Sequence, residues 1–442
     1  MKVNLVPVYF KSAEDPNFVR QLNNLRVLLE EEANLLTPAE LGSVLPEADA
    51  VVFPQMLGEA YRSLDDIKTI QIPILVITSE FGTVSMWDWE INSYLASKGI
   101  HVLAPPSMEY TRKILRNLQL KKELKQSRFL VFQDNPGEGM QADIFKRFYW
   151  WEDECLQAMR DKFGVTVVKK SFQDLATRAK EILDADAKAA WQLWNDRIPL
   201  GAMSLRSLLS AVKIYLAVKD ELDQDPSVIA AGINCLNESH FSDTTPCLAW
   251  NMLFEDRRLV WGCEADVVAM LTKVLVQKSL DVPFMMTNLY PFLMGMAALK
   301  HERISNFPPV QSEPENHILA AHCGYFGVVP QSFSTEWTLR EKVLAIVDDN
   351  ATAIDARMAE GDITLVKLMP PFDVISVVEG KLLEYAQFPG SDCRNGAVIR
   401  VPNGPRLLEE MASHHYVVTI GKNLPGLELM GKIFGVQTRL IQ

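Results

Sequence analysis

The chain has 442 residues, 48% of them hydrophobic and 23% charged, a globular composition with room for two or three domains. Its formal net charge of -12 argues against nucleic acid or an anionic membrane face as partners and suits small neutral substrates.

In chain order, Val3–Phe10 is apolar and β-rich, and Phe18–Leu29 has helical spacing with charges on its other face. Ala50–Phe53 and Pro73–Thr78 read as short buried strands. Met86–Leu95 and Tyr110–Leu124 read as helices, with His101–Ala104 between them. Strands alternating with helices imply βαβ units on a parallel sheet. No G-x-G-x-x-G follows the first strand and no Walker loop occurs, so neither a dinucleotide nor an ATP site is indicated. Lys121–Ser127 is a polar break, after which Arg128–Phe132 restarts the pattern. A loop at Asp134–Gly139, a helix from about Ala142 to Phe163, a strand at Val165–Val168, a helical region over 171–223 and a strand at Ser227–Cys235 follow. From 284 helical periodicity becomes rare until about Leu427. Short strands recur instead, at Ile318–Ala321, Val343–Val347, Ile363–Leu368, Val374–Val378, Ala397–Val401 and Tyr416–Ile420, the pattern of a small barrel or sandwich.

The expected architecture is therefore α/β, with two doubly wound, Rossmann-like domains over 1–125 and 126–283 and a mainly β, barrel-like domain over 284–442. Cysteines 155, 235, 247, 263, 323 and 393 show no C-x-x-C spacing, which suggests packed, reduced thiols in a cytoplasmic protein. The amino terminus reads as a strand rather than a signal peptide, and no apolar run is long enough for a membrane helix.

Chemistry-bearing residues gather in three segments. Trp261-Gly-Cys-Glu-Ala-Asp266 holds an acidic pair, and Asn316–Cys323 and Ser413–Gly421 hold four of the seven histidines. Carboxylates and imidazoles are divalent-metal ligands, so a fold that collected these segments would make a metal site. Acids opening a helix are also favoured by its dipole, the reading preferred for Asp266. His322 is either a ligand or a buried, hydrogen-bonded histidine. Glu238 and His240 end a strand, where α/β sheets place ligands, or else lie on a surface loop. Trp87 and Trp89 offer faces for a sugar or simply begin a helix. Phe148–Trp151 covers too much of a helical turn to be all core and is a candidate oligomer contact.

Thr245-Pro-Cys-Leu-Ala-Trp-Asn-Met-Leu253, followed by Cys263-Glu-Ala-Asp-Val-Val-Ala-Met-Leu-Thr272, resembles the corresponding segments of the L-fucose isomerase and L-arabinose isomerase superfamily. Asn316–Cys323 looks like that superfamily's apolar strand ending in histidine, and His415, six residues before Gly421, looks like its last metal histidine. The resemblance implies aldose–ketose interconversion of a monosaccharide or sugar derivative through an enediol, with manganese, in a homo-oligomer that is a trimer or hexamer. It implies Glu264 as ligand and proton-transfer group, His415 as a second ligand and His322 as a third. His414 is then expected to stand behind the site or face solvent. First-domain aromatics such as Trp87 and Trp89 would come from a neighbouring subunit. The superfamily's second acidic ligand falls at Asn288, 24 residues after Glu264 (288 − 264). An amide oxygen ligates a cation but carries no charge and is no base. The departure leaves open an epimerase or isomerase of a modified sugar with a rearranged metal site, or a non-catalytic sugar-binding protein.

Overall fold

The computed structural model describes residues 1–56, 58–135, 137, 146–291, 312–321, 327–341, 350–387 and 395–442. The chain is a mixed α/β structure of two compact units, Met1–Lys125 and Gln126–Gln442.

In the first unit, β1 (Val3–Tyr9) leads through α1 (Pro16–Leu28) to β2 (Ala33–Leu35) and β3 (Ala39–Glu40). Then come β4 (Ala50–Phe53), α2 (Leu64–Lys68), β5 (Ile74–Val76), α3 (Trp89–Ser97), β6 (Val102–Leu103) and α4 (Met108–Leu124). The strands run parallel in the order β2–β1–β4–β5–β6, with β3 also beside β1. All four residues of β4 are buried, as in a strand covered on both faces. Asp15 caps α1 by accepting the N–H groups of Asn17 and Phe18, each at 2.9 Å.

The second unit opens with β7 (Arg128–Phe132), α5 (Asp153–Phe163), β8 (Thr166–Lys170), α6 (Phe172–Glu181), α7 (Asp184–Gln192) and α8 (Leu205–Gln224). It continues with β9 (Val228–Ile233), α9 (Cys247–Arg257), β10 (Val260–Cys263) and α10 (Val267–Leu280). These four strands form a parallel sheet in the order β10–β9–β7–β8. The helix expected from about Ala142 is shorter. Residues 138–145 lie outside the described residues, Tyr149–Trp151 is a single 3-10 turn, and α5 starts only at Asp153. Phe148 stacks on Trp150 with ring centroids 4.3 Å apart, and both tryptophans are buried, so Trp150 and Trp151 face the interior of the unit rather than an oligomer contact.

The rest is mainly β: β11 (Phe284–Pro291), β12 (His317–Ala321), β13 (Ser334–Glu341), β14 (Thr352–Met358), β15 (Gly361–Met369), β16 (Val374–Gln387), β17 (Asn395–Arg400), β18 (His415–Ile420) and β19 (Gln437–Leu440). Two helices, α11 (Gly404–Glu410) and α12 (Leu424–Phe434), interrupt it. Strands β15, β18, β11, β12, β17 and β16 pair antiparallel in that order. A further β16–β15 pairing closes them into a six-stranded barrel. The 14-residue length of β16 permits this, because its first half pairs with β15 and its second with β17. Asn288 lies inside β11, which runs on to Pro291 rather than ending at Asn288. The expected strand Val343–Val347 lies outside the described residues.

Helix α10 is apolar nearly all round, and every residue from Val267 to Val276 is buried between the parallel sheet and the barrel strands. Its approach to the sheet depends on Gly232 and Gly262, which pair across β9 and β10 beneath Met270. A Cβ on Gly262 would lie 2.8 Å from Met270 Cγ and closer still to its sulfur. Gly262→Ala should therefore cost about 1–3 kcal/mol through overpacking. Urea unfolding checks this, and a loss below about 0.5 kcal/mol would mean that the helix is not seated through these glycines. Among the described residues no helix is long and apolar enough to cross a membrane.

Candidate metal centre

Strand β10 ends at Cys263, and the next two residues, Glu264 and Ala265, both take left-handed φ angles of 53°. Such angles are costly for residues with a Cβ and persist only where the surroundings impose them. Here the Ala265 N–H donates to Ile233 O at 3.0 Å, and the Trp151 indole N–H donates to Glu264 O at 3.0 Å. The double turn lets the chain leave the sheet and enter α10 at once, with Asp266 as its cap: Asp266 Oδ1 accepts the Ala269 N–H at 2.8 Å.

Asp266 stands at the start of the helix, where the dipole favours an acid, and there acts as its cap, together with a role the sequence did not suggest. Its other oxygen, Oδ2, accepts from His415 Nδ1 at 2.8 Å and lies 3.5 Å from Lys367 Nζ. All three groups are buried. Burial pushes the Asp266 carboxyl up, but Lys367 and His415 outweigh it and hold the group well below the ordinary carboxylate range. A carboxylate on Nδ1 fixes the ring and its tautomer, leaving Nε2 to face Glu264 Oε1 at 3.6 Å. Two donors on one cation, each roughly 2.0–2.2 Å from it, stand about 3.0–3.6 Å apart. Glu264, His414 and His415 each present a ligand atom, all within 4.8 Å of one another. Among the described residues this is the one cluster of histidine, cysteine and acidic side chains with metal-site spacing.

His414, expected to stand back from the site or face solvent, belongs to the cluster. It sits in the bend before β18, where strand alternation does not turn it away, and its ring lies 4.2 Å from that of His415. Burial, then the neighbouring His415, lower its pKa to about 4, so it is neutral and able to ligate at pH 7. His415 behaves oppositely. Burial opposes its charge, but Glu264 and Asp266 together raise its pKa above the ordinary 6.5. Asn288 is the residue directly opposite His415 across β11 and β18, so the two side chains share a face of the sheet. Asn288 is buried and its Nδ2 donates to Tyr290 Oη at 3.1 Å. On its other side Asn288 pairs with Ala321, and His322 lies outside the described residues.

The remaining candidates lie elsewhere. The Glu238 carboxylate is buried and accepts the backbone N–H groups of Asp134 (2.9 Å) and Asn135 (2.6 Å). It ties the ends of β7 and β9 together and stands outside the metal-ligand cluster. His240 is exposed, beside the Phe241 ring at 4.3 Å. Trp87 and Trp89 are exposed on the first unit, at 79% and 59%. Burial pushes the thiols of Cys155 and Cys235 up to about 12 and that of Cys247 to about 11, so these cysteines pack rather than react.

Two buried lysines escaped sequence reasoning, although each stands alone in an apolar run. Lys367 interrupts β15. Lys273 interrupts α10, with its ammonium 4.2 Å from the centre of the Trp261 ring and 3.7 Å from Met286 Sδ. Burial lowers the Lys273 pKa to about 8 from 10.5. Holding it charged at pH 7 therefore costs roughly 3 kcal/mol, part of which the indole face offsets. Lys273→Met is expected to stabilise the protein by about 1–3 kcal/mol at pH 7. The advantage should fade between pH 8 and 10.5, where the folded wild type no longer has to charge the amine. Urea unfolding at pH 7 and 10 reads both, and a destabilised variant at pH 7 would refute the account.

Comparison with models of known protein families and with curated proteins finds no match for this chain.

Proposed function

We propose that the protein is a metal-dependent aldose–ketose isomerase of a monosaccharide or sugar derivative, working through an enediol. The observation that carries this reading is the Glu264–His415 pair, 3.6 Å apart, with Asp266 fixing the imidazole from behind. Glu264, His415 and His414 would hold the cation, with the Asn288 amide oxygen as a further donor and His322 as the ligand implied by the resemblance. When bound, a divalent cation, manganese by the resemblance, supplies a Lewis acid that makes the proton next to the sugar carbonyl acidic. Glu264 is the base that takes this proton from C2 and returns it to C1. Asp266 keeps the imidazole oriented, and Trp150 and Trp151 wall the site against water. The reading includes doubly wound domains over 1–125 and 126–283 and a barrel-like domain over 284–442. It also includes a cytoplasmic trimer or hexamer in which Trp87 and Trp89 meet the sugar bound by a neighbouring subunit.

Titration calorimetry with manganese chloride, beside deuterium exchange at C2 across a panel of pentoses, hexoses and deoxyhexoses, tests it. Micromolar metal binding with exchange at C2 of one sugar is expected, and a chain that neither binds the cation nor exchanges the proton is no isomerase. Ligation needs neutral His415, whose pKa lies above 6.5, so protons compete with the cation already near neutrality. Manganese affinity should fall about tenfold per pH unit below that pKa. A flat affinity between pH 5.5 and 8 would exclude His415 as a ligand.

Asn288 favours a second reading, because the resemblance places an acid there. A rearranged site would serve an epimerase or an isomerase of a modified sugar, and one without turnover would make a sugar-binding protein. Metal and sugar binding without C2 exchange would select the binding protein.

A further inference from the structure

A cavity of about 270 Å³ adjoins the metal-ligand cluster, and His414 belongs to both. Its wall includes Lys367, Trp150, Arg147, Tyr149 and Ser413, and among the described residues no aspartate or glutamate lines it. Two of these side chains carry buried donors whose hydrogen-bonding capacity is not filled among the described residues. The Trp150 indole N–H meets no acceptor among the described residues, although the residue is only 6% exposed. The Lys367 ammonium, on a residue 1% exposed, makes no short hydrogen bond among the described residues and has one long ion pair for its three N–H groups. Its nearest anion, Asp266 Oδ2 at 3.5 Å, already accepts from His415. Buried donors are normally satisfied, and a buried ammonium is costly when its hydrogen-bonding capacity is unused. Arg147 is paired with Glu152 at 2.7 Å, so its charge is taken up there and it is not the anchor. A small cavity walled by an ammonium and an indole whose donors are under-used has the chemistry of an oxyanion receptor. The volume lies just under the range of drug-sized pockets, which suits a single sugar unit.

We propose that this cavity binds the oxyanion group, carboxylate or phosphate, of an acidic sugar derivative, held by Lys367 Nζ and Trp150 Nε1 while the sugar's hydroxyls face His414 and Glu264. The inference rests on the sugar-isomerase reading for the identity of the ligand and narrows its substrate class to acids. The oxyanion gives both donors charge-assisted hydrogen bonds, whereas the hydroxyls of a neutral sugar offer only the weaker, uncharged kind.

The test is calorimetry on the full chain with manganese chloride present. D-glucuronate, D-galacturonate and D-mannuronate are titrated against glucose, galactose and mannose, and the 5-phosphates of D-ribose and D-arabinose against the free pentoses. At least one acid should bind tenfold or more tightly than its neutral counterpart, the uronate arm identifying a carboxylate and the pentose arm a phosphate. Lys367→Met should remove the preference, and Trp150→Phe, which keeps the ring and deletes the N–H, should reduce it at least threefold. Should Lys367→Met fail to fold by circular dichroism, Trp150→Phe decides alone. No acid preference in the wild type, or a preference that survives Trp150→Phe, overturns the proposal. The two readings fail separately: acid preference in protein that binds no manganese removes the isomerase and leaves the oxyanion site. Manganese binding with C2 exchange of a neutral sugar and no acid preference does the reverse.

Discussion

Asp266→Asn is expected to destabilise the protein by about 3–5 kcal/mol and to weaken manganese binding by about 10- to 100-fold. The new side chain can still cap α10, because an amide oxygen accepts the Ala269 N–H as the carboxylate does at 2.8 Å. The loss falls on the other side, where the amide places an NH₂ group against His415 Nδ1–H and the Lys367 ammonium, two donors that face Oδ2 at 2.8 and 3.5 Å. Relief requires the imidazole proton to move to Nε2, the nitrogen facing Glu264, which closes that nitrogen to a cation. Lys367 meanwhile becomes a buried cation without its counter-charge. The pH dependence follows. The Asp266 carboxyl is held well below its unfolded value, so its contribution is complete above about pH 4 and is lost only as pH falls through the lower, folded value. Burial already lowers the Lys367 pKa, and losing Asp266 lowers it further. The variant should therefore regain stability from pH 7 to 10, where the unfolded chain binds a proton that the folded one does not. Urea unfolding at several pH values and calorimetry with manganese read these effects. A variant within about 1 kcal/mol and threefold of wild type would show that Asp266 only caps a helix.

Some of this was legible in the sequence because the physics is local. The fully apolar Ala50–Phe53 and the apolar run before Glu264 announce buried parallel strands, and an acid pair between a strand and an unbroken apolar helix announces a strand-end site. The recurring short strands announced a barrel or sandwich, but the strand order that closes the barrel was not legible, since it depends on which edges of β16 meet β15 and β17 and is not written in periodicity. His414 was set behind the site because the spacing to Gly421 selects His415, and that spacing does not show that His414, in the bend before β18 begins at His415, reaches the same cluster. Phe148–Trp151 misled because a helix was assumed around it, whereas the 3-10 turn and the bond from Trp151 to Glu264 O bring two indoles to the site. Lys367 and Lys273 were visible as single cations in apolar runs. What each one faces is a tertiary fact.

Asn288→Asp should strengthen manganese binding at least tenfold while destabilising the metal-free protein by about 1–3 kcal/mol. Asn288 faces His415 across the sheet from a buried position in β11, close to a centre that already holds two carboxylates, Glu264 and Asp266. Without a cation, a third carboxylate there is desolvated and repelled by its neighbours, so it raises its own pKa and weakens the fold. With a cation, the same charge becomes a ligand, and charge count sets much of the affinity of hard divalent ions. The two effects share one cause, so the rise in melting temperature on adding manganese should be larger in the variant than in wild type. The new carboxylate is also a second base facing the sugar, and C2 exchange should rise with it. Thermal unfolding with and without manganese chloride, beside calorimetry and deuterium exchange, measures all three. Unchanged metal affinity together with unchanged metal-free stability would place Asn288 away from the cation. Glu238 could not then replace it, since backbone N–H groups of Asp134 and Asn135 already occupy its carboxylate. The site would instead be the compact one formed by Glu264, His414 and His415 alone.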